Sequence, residues 1–193
     1  MSISKSNEIE TLYVTARAAW RDWLSRNFEK KEEIWLVYPK KVTGKPRIEY
    51  NVAVEEALCY GWIDSKVRAL DELHTMQRFS IRRPGSKYSQ PNKERIRWLL
   101  GQEMVHPSIV EELKNAVAEE FQFPKDIMNS IESEPKAWEH YKEFSNAYKR
   151  IRIAFIESAR RRPEEFRKRL ENFLEHTRNG KLIRGFGGIE KYY

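Results

Sequence analysis

The chain has one cysteine, Cys59, so it can form no internal disulfide and has no second thiol for a zinc site. No stretch approaches the roughly 20 apolar residues that a membrane-crossing helix needs. The start, MSISKSNEIE, lacks the basic region and apolar run of a secretory leader. There is no internal repeat, heptad array or low-complexity tract. These absences predict a cytoplasmic globular protein held together by its own core. Its 193 residues suffice for that, since a chain of this size buries about 70% of its unfolded surface. With 34% charged and 40% hydrophobic residues, it is polar without having the composition of a disordered chain.

The net charge is +7 and is uneven. Residues 1–123 carry 20 Lys and Arg against 18 Asp and Glu, whereas residues 124–193 carry 16 against 11. A basic balance favours polyanionic partners. The simpler reading, a solvated Lys/Arg-rich surface, is preferred.

Hydrophobic periodicity predicts a helix over residues 8–27, with Leu12, Ala16, Ala19, Trp20, Trp23 and Leu24 on one side. EIWLVY, from Glu33 to Tyr38, has strand composition, and Arg47 to Tyr50 is read as a short return strand. Asn51 is placed to cap a helix that Gly61 ends. Two strands follow, from Trp62 and from Thr75 to Arg82. Ser89 then stands as the cap of a helix with Pro91 in its first turn. Beyond Phe121-Gln122-Phe123-Pro124 strand signals stop, and helices are expected at about 125–132, 135–143, 145–160 and 163–178. The expected fold is α+β: a small, mostly antiparallel sheet packed with helices, then an all-helical C-terminal region. The expected domains are 1–122 and 123–193.

The side chains that bear chemistry gather at the joints of the central stretch: Trp62, Asp64, Arg78, Arg82, Ser86, Tyr88, Ser89 and Asn92. Arg78 and Arg82 share one strand face. Together with hydroxyls at a helix start, they supply charge and oriented donors for an anion. Asp64 is placed to anchor one arginine. The competing reading is that these groups satisfy one another structurally.

The strings EALCYGWIDS, QRFSIRR and S-K-Y-S-x-x-N resemble the YdeI/OmpD-associated (bacteriocin-protection) family. So do AWEHYKEFSNAYKRIRIAFIESARRRPEEFRKRLENF and the ending GFGGIEKYY. Tyr88 departs from the family pattern, which has Trp there. The resemblance runs from about Trp20 to Tyr193. It implies a link to bacteriocin or antimicrobial-peptide protection and supplies no catalytic residues.

Other motifs carry less. Cys59 sits near a helix C-terminus among apolar neighbours, an unfavourable place for a thiolate. His74, His106, His140 and His176 have no metal-ligand spacing. Gly185-Phe186-Gly187-Gly188 precedes too little chain for a phosphate-binding helix, so a tail docking Phe186, Ile189, Tyr192 and Tyr193 is expected. The expected function is a non-enzymatic binding or protective module with no cofactor, no metal and no catalytic residue. Its partner is a small anionic ligand or an acidic protein segment. The alternative is nucleic-acid binding through the basic C-terminal helices, although no nucleic-acid-binding signature supports it. An enzyme acting on a phosphorylated small molecule ranks third, for want of an identifiable base or nucleophile.

Overall fold

A computed structural model describes residues 9–83, 85–184 and 189–193. The fold is α+β. Its order is β1 (Thr11–Leu12), α1 (Arg17–Asn27), β2 (Glu33–Pro39), α2 (Tyr50–Cys59), β3 (Trp62–Ala69), β4 (His74–Ile81), α3 (Gln90–Gly101) and α4 (Val110–Ala118). The order continues through α5 (Lys125–Glu132), α6 (Pro135–Glu143), α7 (Asn146–Glu157) and α8 (Pro163–Arg178). Two compact units divide the chain. The first comprises 1–86 and 99–111, the second 87–98 and 112–193.

The first unit holds a four-stranded mixed sheet of order β1-β2-β4-β3. β2 and β3 each pair antiparallel with β4, while β1 pairs parallel with β2. Register assigns the two faces. Ile34, Leu36 and Tyr38 lie opposite Phe79, Gln77 and Thr75, and Trp62 and Asp64 lie opposite Ile81 and Phe79. α1 covers this face: the Trp20 ring lies 5.5 Å from Phe79 and the Trp23 ring 5.8 Å from Trp62. Two indole N–H groups find backbone acceptors inside the core, Trp20 at Ala53 O (3.0 Å) and Trp62 at Phe28 O (3.1 Å). Trp20 is therefore a core residue, and the half-buried Trp23 stacks on it and packs edge-on against Trp62.

Three local expectations are corrected. The predicted helix over 8–27 begins only at Arg17, because Thr11 and Leu12 pair with Trp35 and Leu36 of β2. Arg47 to Glu49 form no strand. Ile48 instead donates its N–H to Val14 O at 3.3 Å, and its side chain enters the core. α2 starts at Tyr50 behind Glu49, with no side-chain cap, so Asn51 lies in the first turn rather than capping it.

The helix-ending glycine is where expected. Gly61 has φ +72°, which lets the chain leave α2 and enter β3 at once. A bulge between Asp64 and Val67 then interrupts the alternation of β3.

The second unit is helical apart from its loops and turns, among the described residues. Ser145 caps α7 by accepting from Tyr148 N (3.2 Å), and Pro135 and Pro163 open α6 and α8. Ile127, Ile131, Tyr141, Tyr148, Ile153, Ile156 and Phe173 form its core. On α7 Tyr148 and Ile151 are buried, Phe155 is only half-buried, and Arg152 is 3% exposed. The last residues dock as expected: Ile189 and Tyr192 are buried beside Ile151, and Trp98 packs against them. Gly185 to Gly188 lie outside the described residues.

Candidate functional site

The sequence-read residues distribute as follows. Trp62 is 1% exposed and belongs to the core. Arg78 lies across from Trp35, on the face opposite Asp64, and donates through Nε to Glu33 Oε2 at 2.8 Å. Asp64 therefore does not anchor Arg78. Its carboxylate accepts from the Tyr50 hydroxyl (2.6 Å) and from Gln77 Nε2 (3.3 Å). The backbone N–H of Arg82 reaches Gly61 O at 3.1 Å, and Ser86 Oγ donates to Arg83 O at 2.8 Å. Tyr88, Ser89 and Asn92 belong to the second unit. There Ser89 Oγ accepts from Asn92 N at 3.4 Å, so it caps α3 as expected. The Asn92 side chain accepts at Oδ1 from Arg95 Nη1 at 2.8 Å.

Within the first unit, Asp64 leads to a different place. At the end of the α1-covered face the residues turn polar, and α2 begins just beside them. A cavity of about 340 Å³ opens there, lined by Tyr38, Arg47, Tyr50, Asn51, Thr75 and Gln77 among others. Tyr38 is 7% exposed, and its hydroxyl is buried with no hydrogen-bond partner among the described residues. Such an atom costs free energy unless something entering the cavity satisfies it. Burial pushes the phenol well above its ordinary pKa, with the neighbouring Tyr50 and Asp64 adding to the shift, so Tyr38 stays a donor.

The start of α2 adds to this. Glu49 makes no side-chain cap, and the positive end of the dipole of this ten-residue helix lies here. Tyr50 and Asn51 of its first turn line the cavity. Arg47 brings a guanidinium to the same wall, with Nη1 donating to Pro39 O at 3.1 Å.

Two family models match the sequence. Residues 12–112 match a domain of unknown function (DUF8412), and residues 120–180 match the family described as bacteriocin-protection, YdeI or OmpD-associated. The first match spans more than half the chain. The chain belongs to the DUF8412 family. Its C-terminal part is of the YdeI/OmpD-associated type, as the resemblance implied. EALCYGWIDS and QRFSIRR fall inside the DUF8412 match. No curated protein and no solved structure matches the chain.

Within the DUF8412 stretch, the cavity draws on β2, the entry to α2, β3 and β4. In the sequence Tyr38 is simply the last aromatic of the strand-like run EIWLVY. The available signal was the run of polar partners on one sheet face, Asp64, Thr75 and Gln77, which becomes visible only once strand register is known. Sequence reading also missed two buried carboxylates, Glu55 and Glu56 of α2. They are held by Arg17 and Arg21 of α1.

The other chemical groups stay quiet. Burial pushes the Cys59 thiol up to about 12, which removes it as a nucleophile near neutral pH. Among the described residues, no group of three or more His, Cys, Asp and Glu is placed to hold a metal ion. No helix among them is long and apolar enough to cross a membrane. Several C-terminal basic residues already have carboxylate partners: Arg160 with Asp126 and Glu157, Arg169 with Glu165, and Arg178 with Glu134. Arg150 binds the buried Glu94 of α3 through two 2.7 Å bonds.

Proposed function

We propose that this protein is a binding module rather than an enzyme, and that it takes a small anionic ligand in the cavity at the start of α2. The observation that carries the reading is Tyr38, which lines a polar cavity and holds a buried hydroxyl without a protein partner among the described residues. The adjoining helix start and Arg47 supply the positive potential that an anion needs. The volume suits a compact molecule, since small-molecule sites span about 300–1,000 Å³. Asp64 takes part indirectly, by fixing Tyr50 and Gln77. Arg78, turned to the other face beside Glu33, takes no part.

The protective role in the name of the C-terminal family is proposed to work through binding: the module senses or sequesters a small anion in the cytoplasm. Nuclear magnetic resonance titration with acetate and with inorganic phosphate tests the site. Saturable shifts centred on Tyr38, Tyr50, Asn51 and Gln77 are expected. Shifts that never saturate, or that fall elsewhere, overturn the reading.

A further inference from the structure

The cavity mouth carries a feature that an anion site does not explain. Glu49 lines it beside Arg47, and a carboxylate there repels a purely anionic ligand. The two residues flank Ile48, which is 3% exposed and anchored in the core, and the chain at Glu49 is extended (φ −68°, ψ 136°). Arg47 and Glu49 both line the cavity, while Ile48, turned into the core, fixes the backbone between them.

The pair does not cancel itself. Arg47 Nη1 turns to Pro39 O at 3.1 Å, and no ion pair joins Arg47 to Glu49 among the described residues. The wall therefore presents one cation and one anion side by side, both exposed to an incoming molecule. Deeper in, the partners are a phenol donor at Tyr38 and the side chains of Thr75 and Gln77.

From this arrangement we infer that the ligand is a zwitterion of the α-amino acid class. Its carboxylate meets Arg47, the start of α2 and the Tyr38 hydroxyl, and its ammonium meets Glu49. The inference rests on the anion-pocket reading above and adds the second charge. A carboxylate alone uses half of the wall, and an amine alone leaves Arg47 without a counter-ion and the Tyr38 hydroxyl without a partner.

Isothermal titration calorimetry on the full chain tests it. The probes are the protein amino acids, the carboxylate lacking the amino group for each, and the amine lacking the carboxyl group for each. At least one amino acid is expected to bind at least about tenfold more tightly than either truncated form, a difference of about 1.4 kcal/mol. Glu49→Gln is expected to remove that advantage over the des-amino acid while leaving affinity for the des-amino acid unchanged or higher. Arg47→Ala is expected to weaken both.

Equal binding of amino acid and des-amino acid, or an advantage that survives Glu49→Gln, overturns the zwitterion inference and leaves the anion pocket standing. An absence of binding by every carboxylate and amino acid overturns both. An amine that binds as well as its amino acid also overturns both. Circular dichroism of each variant separates lost binding from lost fold.

Discussion

Arg21 reaches across from α1 to the fully buried Glu56 of α2, with Nη1 2.8 Å from Oε2, and sends its other terminal nitrogen to Met104 O at 2.7 Å. Arg17 shares the same carboxylate. The arrangement clamps the two helices that lie over the sheet. A carboxylate taken out of water is tolerated only while such partners remain. Arg21→Ala is expected to destabilise the protein by about 2–3 kcal/mol. That is less than the about 3–5 kcal/mol of a wholly buried pair, because the guanidinium is partly solvated. Urea unfolding of wild type and variant measures it; a loss under about 0.5 kcal/mol would place the pair among ordinary surface contacts.

The turn from α2 into β3 makes a second prediction. Gly61 has φ +72°, and a Cβ built there meets Ile109 Cδ1 at 3.3 Å. Gly61→Ala incurs backbone strain of about 1–2 kcal/mol before any steric cost. Pairing it with Ile109→Val to relieve the contact is expected to recover little, since the strain lies in the backbone. Full recovery in thermal unfolding would show that crowding was the cause.

Much of the architecture was legible because its signals are local. Ser89 and Gly61 mark helix ends through their own backbone chemistry, and the structure uses both as read; Ser145, Pro135 and Pro163 stand at helix starts in the same way. What was missed depends on chain segments far apart. Thr11 and Leu12 share the periodicity of the helix after them, and only pairing with β2 makes them a strand. Glu55 and Glu56 resemble ordinary surface carboxylates until Arg17 and Arg21 are seen beside them. Asp64 was grouped with Arg78 by position along the chain, yet strand register puts them on opposite faces. The cavity needs Tyr38, Arg47, Tyr50 and Gln77 together, and no spacing rule joins them.

Alkaline pH is expected to destabilise both units. Burial raises the Cys59 thiol from 9.0 to about 12 and the Tyr141 phenol from 10.0 to about 12. Both groups are neutral in the folded protein, so their contribution is fully present below the unfolded values. It is lost as pH rises from about 9 towards 12. Tm is expected to hold on approaching pH 9 and to fall above it. Cys59→Ala should delay the onset towards pH 10, where the phenols begin to titrate. An onset that stays in place in that variant would contradict the assignment to the thiol.

Tyr38→Phe separates a ligand-seeking hydroxyl from a structural one. The substitution keeps the ring in the core and deletes only an oxygen for which the protein provides no partner. Removing a buried donor without a partner is expected to raise stability of the free protein by about 1 kcal/mol. It is also expected to weaken binding of a carboxylate probe, since a hydrogen bond to a charged group contributes about 1.5–3 kcal/mol.

The most direct measurement is therefore the affinity for acetate of wild type and Tyr38→Phe, by the same resonance titration, alongside their unfolding free energies. An affinity loss of about tenfold or more, together with equal or greater stability, is the result predicted. Unchanged affinity, or a variant less stable than wild type, would contradict the claim that the cavity at the start of α2 is built to receive an anion.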